Sequence, residues 1–391
     1  MTFKIHPTLI ATCFTAYCTI GAASTLQAQQ NTHTAQEPQQ PCTTRLAHIG
    51  FIYPISTNGT DARMYTNIFS FHVLAGVSAG EKAFCLSGLT TVIKNDATGA
   101  QIAGLSNHIG GEAKGAQVAG LINQVRGANT GAQVAGLINL GKSSKGGQVA
   151  GLINISAKNT KGAQVAGLLN TAGNMTGGQV AGLANTSQKN VKGMQLAGLV
   201  NNAGDVKGFQ MAGLVNNAKK VKGAQLSGLV NVADSSDYPI GLVNIIRNGE
   251  KSFGVSVDET QTALLTFRSG GRVLYGILGV GYNFKSARSL YAIEAGYGAR
   301  MPIYKNLKLS AEAVCMSLND IGEEWYIKSS LRVLPSYTFA NRVQIYAGPT
   351  INFLNNNFGN NELVEHYIWS PNTGNTYGLY MGFTGGVQVK F

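Results

Sequence analysis

Two hydrophobic–polar patterns follow one another along this chain. From about residue 250 to the end, apolar and polar positions alternate with period two, which marks strands with two unlike faces. The last segment is the cleanest: Tyr377, Leu379, Met381, Phe383, Gly385, Val387, Val389 and Phe391 share one face, and Gly378, Tyr380, Gly382, Thr384, Gly386, Gln388 and Lys390 the other. The same split separates Val343, Ile345, Ala347, Pro349, Ile351 and Phe353 from their neighbours, and likewise Tyr291 to Tyr297, Leu307 to Ala313 and Leu331 to Phe339, with Leu334 as an exception. Adding Phe253–Val257, Thr262–Phe267 and Val273–Phe284 gives about eight strands of roughly ten residues, the length of a tilted strand that crosses a bilayer. Eight is the smallest common closed barrel, and its lumen is packed. Glu294, Arg300, Lys308, Glu312, Lys328 and Arg332 fall on the polar face and are expected to pair inside, since isolated buried charges are costly. A soluble antiparallel sheet with one wet face would alternate in the same way.

Ahead of this region the period changes. A unit Gly-x-Gln-φ-Ala-Gly-Leu-x-Asn, with φ an aliphatic residue, places its Gln at 101, 117, 133, 148, 164, 179, 195, 210 and 225. Imperfect copies flank it at Leu86-Ser87-Gly88-Leu89 and Ile240-Gly241-Leu242-Val243-Asn244, as stacked repeats need for caps. Two glycines per copy, at about 1 kcal/mol each, argue against helix. Each copy suits two short strands with a bend at the second Gly, and the first Gly and the joints Arg126 to Thr130 and Gly141 to Lys145 read as turns. In a β-solenoid, equivalent residues lie above one another. The columns through Gln117, Gln133, Gln148, Gln164 and Gln195 and through Asn123, Asn139 and Asn154 could then bond along the stack as amide ladders. An antiparallel meander gives no reason for identical columns at both ends.

The expected fold is all-β: a solenoid-like array of 15–16-residue repeats, then an antiparallel, about eight-stranded β-barrel. The expected division is a signal peptide over 1–28, a flexible linker over 29–45, an N-terminal β segment or cap over 46–98, the array over 99–245 and the barrel-like domain over 246–391. Composition agrees. Of 391 residues 50 are Gly, without a three-residue period, which excludes collagen; 44% are hydrophobic and only 12% charged, which excludes disorder of most of the chain. After the N-terminus no apolar run reaches 18 residues, so no spanning helix is expected. Lys4, the apolar stretch Leu9 to Ala23 and Leu26-Gln27-Ala28 read as a secretory signal. Export implies an oxidising setting, but Cys42, Cys85 and Cys315 offer neither a disulfide framework nor a paired metal spacing.

The net charge of +12 brings in a candidate ligand. Lys114, Lys145, Lys161, Lys192, Lys207 and Lys222 each precede the Gln by three residues, and residues 99–231 hold twelve Lys or Arg against the two acids Glu112 and Asp205. Such a column faces solvent or an anion. Lipopolysaccharide phosphates or an acidic glycan are the functional reading, edge protection and solubility the plain one. DNA binding is not expected without a recognition motif or stacked aromatics. No catalytic residue, metal site or cofactor is expected. His33, His48, His72, His108 and His366 lack ligand spacing, no nucleophile elbow or phosphate loop occurs, and Glu323-Glu324 point to opposite faces if in a strand.

Two likenesses supplement these readings. Gly386-Val387-Gln388-Val389-Lys390-Phe391 resembles the C-terminal assembly signal of bacterial outer-membrane β-barrel proteins, with Gly386, Val389 and Phe391 at its marked places. That resemblance implies outer-membrane lipids and the barrel-assembly machinery as partners. Residues 70–391 also resemble bacterial surface-repeat proteins with Gly-x-Gln-Ile-x-Gly-Leu-Val-Asn-type units, although Ala usually precedes the second Gly here; this implies location and architecture, not an activity. The expectation is thus a non-enzymatic, exported outer-membrane or cell-surface repeat protein that offers a scaffold or a binding face for anionic ligands. A larger porin-like barrel with strands supplied by the repeats, and a secreted glycan-binding adhesin, are the rivals.

Overall fold

The computed structural model describes residues 43–286, 290–320, 325–339, 342–356, 363–364, 366–370 and 377–391. The expected signal peptide, most of the linker, Cys42, His33 and Glu323-Glu324 lie outside the described residues. The described chain is almost wholly β, a parallel stack of about twelve coils followed by a closed barrel.

Parallel pairing starts where Tyr65–Ser78 meets Gly80–Ser87 and runs in register to Val243–Ile246. Within a coil a first strand such as Ala113–Ala119 turns at Gly120-Leu121 into a second strand starting at Ile122. Equivalent positions pair without drift: Gln117 with Gln133, Gln148 with Gln164, Asn139 with Asn154. Both columns are buried and bond along the stack, except that the Gln column is interrupted between Gln117 and Gln133, where Gln117 Oε1 and Gln133 Nε2 lack a partner. Gln164 Nε2 donates to Gln148 Oε1 at 2.8 Å, Gln179 to Gln164 at 2.8 Å and Gln210 to Gln195 at 2.8 Å. Asn123 Nδ2 donates both to Asn139 Oδ1 at 3.0 Å and to the Val134 carbonyl at 2.8 Å, so each Asn ties its own corner to the next coil.

The first glycine differs from expectation, while the second stands at the expected bend. The first Gly of each copy is not a turn; it lies within a strand at positive φ, from 123° to 138° between Gly115 and Gly223, where L side chains are strained. The second Gly stands at the corner, where a Cβ on Gly136 would come 2.0 Å from the Gly120 carbonyl oxygen. Stacking at about 4.8 Å leaves no room for a side chain there. The expected turns at the other corner are also continuous strand, as in Ile122–Ala135 and Ile138–Ala150.

The barrel comprises Glu250–Asp258, Thr262–Gly270, Leu274–Asn283, Leu290–Tyr304, Leu307–Asn319, Trp325–Phe339, Val343–Asn356 and Tyr377–Lys390, each antiparallel to the next. It closes where Glu250–Asp258 pairs with Tyr377–Lys390, from Ser252↔Lys390 to Asp258↔Thr384. No array strand is a stave of this barrel, which removes the repeat-built channel. Residues 271–273, 305–306 and 340–342 connect strands at one end, together with both barrel termini. At the other end the connections are 259–261, 284–289, 320–324 and 357–376.

Candidate functional site

The barrel wall has inverted polarity. Outward-facing Val255, Leu265, Ile293, Leu331, Ile351 and Met381 keep 47–66% of their surface exposed. Aromatic residues mark both rims. Phe253 lies 5.0 Å from Phe267 and stacks on Phe391 at 5.5 Å near the short-turn end, where Tyr297, Tyr337 and Phe339 are also exposed. Tyr282 meets Phe284 at 5.2 Å and Tyr291 at 5.7 Å at the opposite rim.

The inside holds paired charges, beside a buried apolar cluster that includes Leu264, Leu290, Met316, Leu318 and Leu354. Arg268 Nε donates to Glu312 Oε1 at 2.9 Å, and the Tyr275 hydroxyl reaches the same oxygen at 2.8 Å. Arg332 forks onto both Glu294 oxygens. Lys328 pairs with Asp258 and, at 3.3 Å, with Glu259. Glu250 collects Arg300, Lys308 at 2.9 Å and Lys390 at 3.4 Å near the short-turn end. All six charges that alternation placed inside therefore find partners. Glu250, Asp258, Glu259 and Arg268 escaped the sequence reading, although Asp258 and Arg268 continue the polar face of their own strands.

Gly386, Val389 and Phe391, the positions expected of an assembly signal, occupy distinct places. Val389 and Phe391 face outward, 49% and 70% exposed. Gly386 faces the lumen, where a Cβ would come 2.8 Å from the Tyr346 hydroxyl.

The lysines form a true column. Lys145 pairs with Lys161, and Lys192 with Lys207, which pairs with Lys222. Lys114, Thr98 and Thr130 share the column, so threonines dilute the charge at some rungs. All six lysines are exposed, and of the six Lys114 alone forms an ion pair, with Glu112 at 3.9 Å. The ladder residues Gln117, Gln133, Gln148, Gln164, Gln195, Asn123, Asn139 and Asn154 are buried and structural.

A polar cluster that the sequence did not reveal closes the first coils. Ser70 and Cys85 occupy the Gln column, and Gly76 and Thr91 the Asn column. The His72 ring fills the space over Gly76 and bonds His48 at 3.2 Å, while Asn67 bridges toward His48 and Glu81. Burial pushes the Glu81 carboxyl up to about 7, against hydrogen bonds from Asn67 and Ser70. Burial lowers both imidazoles to about 4, helped by Arg45 at His48 and by His48 at His72. Burial also raises the Cys85 thiol to about 12, which leaves no thiolate at neutral pH. Among the described residues no three His, Cys, Asp or Glu side chains gather to hold a metal ion.

The array ends on the barrel. Arg268 and Tyr275 point into the lumen, so by alternation Ser269 and its partner Gly276 face outward. Asn244 donates its backbone N–H to Ser269 Oγ at 2.9 Å and its side-chain amide to the Ser269 carbonyl at 3.1 Å. A Cβ on Gly276 would lie 2.2 Å from the Gly241 carbonyl oxygen, the relation that Gly136 has to Gly120 within the stack. The barrel flank thus takes the place of a next coil.

No protein-family model and no curated protein matches this chain. Among solved structures it is similar to a de novo designed transmembrane β-barrel, at 14% identity over 36% of this chain and 93% of that one, with a TM-score of 0.22. It is similar also to the crystal structure of Neisserial surface protein A, at 17% identity over 36% of this chain and 94% of that one, with a TM-score of 0.22.

Proposed function

We propose that this is a non-enzymatic protein of the bacterial outer membrane. The barrel Glu250–Lys390 anchors it, and the array is a scaffold that presents a binding face. The observation that carries the reading is the polarity of the barrel. Charges are paired in its lumen, and large aliphatic side chains cover its outer wall between two aromatic rims. Water rewards the opposite arrangement; hydrocarbon rewards this one. The Val389 and Phe391 positions are outward and fit an assembly signal read by the barrel-assembly machinery.

The connections support a side for the array. Outer-membrane barrels have short periplasmic turns and longer extracellular loops. The array joins at the end whose links are 271–273, 305–306 and 340–342, so the reading puts it in the periplasm. There the exposed lysine column suits an acidic glycan better than lipopolysaccharide of the outer leaflet.

Cell fractionation with detergent extraction, and a heat-dependent shift in gel mobility, test the anchor. Recovery in the soluble fraction without such a shift would favour the secreted adhesin instead. For the lysine face, the triple substitution Lys192→Gln, Lys207→Gln, Lys222→Gln should weaken salt-sensitive retention on acidic glycan at least tenfold. Unchanged retention leaves the column as solubility chemistry.

A further inference from the structure

The array has two unlike long edges. At the Gly-Leu corner the φ and Leu columns stand out from every coil: Val118, Leu121, Val149, Leu152, Val180 and Leu183 keep 37–46% of their surface exposed. Nine such coils at about 4.8 Å make a ridge about 40 Å long. A contiguous apolar strip of that length on a protein surface marks something that covers it. The lysines occupy the far end of the first strand of each coil, and Arg126, Lys142, Lys158 and Lys189 lie exposed at the corner beyond them.

The junction fixes how these edges face relative to the barrel. In the last coil the corner Gly241-Leu242 abuts Gly276, which pairs with outward-facing Tyr297 of the aromatic rim. Pro239 and Asp237, further from that corner, abut Gly271 in the short turn. Gly249, past the opposite corner, abuts Gly270 at the strand end. The apolar corner therefore points toward the middle of the barrel wall, and the cationic edge points away past the short turns. The last coil lies flat against the outer wall, so the stack leaves the barrel sideways at the height of its aromatic rim.

We propose that the Gly-Leu edge of the array lies in the phospholipid leaflet on the short-turn side of the barrel, as a second, in-plane membrane contact. This rests on the reading of the barrel as lipid-embedded. Three observations favour lipid as the occupant. The ridge reaches the aromatic rim at the junction. Its sides repeat the same aliphatic positions from coil to coil. The charges are segregated to the edge that points off the membrane. In-plane elements bind membranes in this way, with the apolar face at the headgroup–acyl boundary and the charged face wet.

The test uses the full chain reconstituted into phosphatidylethanolamine–phosphatidylglycerol vesicles. Its own cysteines are replaced (Cys13, Cys18, Cys42 and Cys85→Ser, Cys315→Ala). A polarity-sensitive fluorophore is attached at Val149→Cys or Leu168→Cys on the ridge, at Lys145→Cys or Lys161→Cys on the cationic edge, or at Met381→Cys on the barrel wall. Each variant is first checked for its heat-dependent gel shift. Quenching is compared between a nitroxide on the upper acyl chain and iodide present on both sides of the vesicle. The ridge labels should follow the Met381 label, with lipid quenching at least threefold above that of the lysine-edge labels. Ridge labels as open to iodide as the lysine-edge labels, with the Met381 label lipid-quenched, would overturn the inference and leave the barrel reading standing. An iodide-accessible Met381 label would overturn both. Ridge labels shielded from both quenchers, with copies cross-linking through them, would assign the edge to a second copy and overturn the lipid contact.

Discussion

Placing one cation on the outer wall separates a membrane barrel from a soluble one by size of effect. Leu331 is the site to use. It is 61% exposed, pairs with Ala313 and Ile351, and lies six residues from Trp325 and six from Tyr337 in one strand. At about 3.3 Å per residue and a tilt of about 40°, six residues rise about 15 Å, so the two aromatic positions stand about 30 Å apart with Leu331 midway. That matches the thickness of a hydrocarbon core. Leu331→Arg should then cost about 2–4 kcal/mol of stability in lipid, roughly 30- to 1,000-fold in the folding equilibrium, whereas Tyr337→Arg at the rim should cost about 0–1 kcal/mol. In a water-soluble barrel both positions are ordinary surface, with effects within about 0.5 kcal/mol. The assay is urea-dependent folding into phosphatidylcholine vesicles, followed by the gel shift and by Trp fluorescence. Equal tolerance of arginine at both positions would refute the membrane assignment of the wall.

Three further outcomes test the interior. Glu294→Gln leaves Arg332 buried without its fork and should cost about 3–5 kcal/mol, while the double change Glu294→Leu, Arg332→Met should recover most of that loss; equal losses in single and double variants would show that the pair is not what matters. Asn154→Ala removes the donor to Asn170 at 2.9 Å and to the Val165 carbonyl at 2.8 Å, and should destabilise the array by about 2–4 kcal/mol in denaturant titration; a loss below about 0.5 kcal/mol would demote the ladder to mere spacing. Glu81 has a folded value near 7, above its unfolded value, so its contribution is full below about pH 4.5 and fades as pH rises through 7. His48 and His72 are shifted the other way, toward 4, and their contribution is present above about 6.5 and fades as pH falls through 4. In the shared window from about pH 4.5 to 6.5 the two histidines outweigh the one carboxyl, so hydrogen exchange in Thr43–Ser87, corrected for intrinsic rates, should gain protection as pH rises in the wild type; Glu81→Gln should steepen that gain, and identical profiles would refute the role of Glu81.

Much of the architecture was legible because each half obeys a strict period. Alternation from Val343 to Phe353 identified the outward face residue by residue, and within Leu331 to Phe339 it marked Leu334 as the exception, an apolar residue that is buried. Fifteen- and sixteen-residue steps identified the amide columns, because a solenoid converts sequence period directly into stacking register. What stayed hidden depends on contacts between stretches with no shared period. Asn67, His72 and Glu81 sit on the first coils, and His48 joins them only because the N-terminal hairpin folds over them. Ser269 and Gly276 look like ordinary barrel residues, and nothing local says that a coil rests on them. The lysine column was visible, but not its opposition to the apolar ridge, since the junction with the barrel sets that orientation.

The two ends of the stack explain why a repeat array of this kind is finite. A parallel stack exposes an unpaired edge at each terminus, and such an edge invites another chain. At the first coil the hairpin Thr43–Ile52 with Ile55–Ser56 covers the edge, and the amide columns give way to Ser70, Cys85 and Thr91, which a further Gln or Asn could not extend. At the last coil Asn244 still has donors to place, and the barrel wall accepts them through Ser269. Only a residue without a side chain can lie over the Gly241 carbonyl, and the wall presents Gly276 there. Gly276 is in this sense a repeat glycine borne by a barrel strand. Capping and anchoring are therefore one contact: the surface that ends the stack also fixes its apolar edge toward the aromatic rim and its lysines away from it.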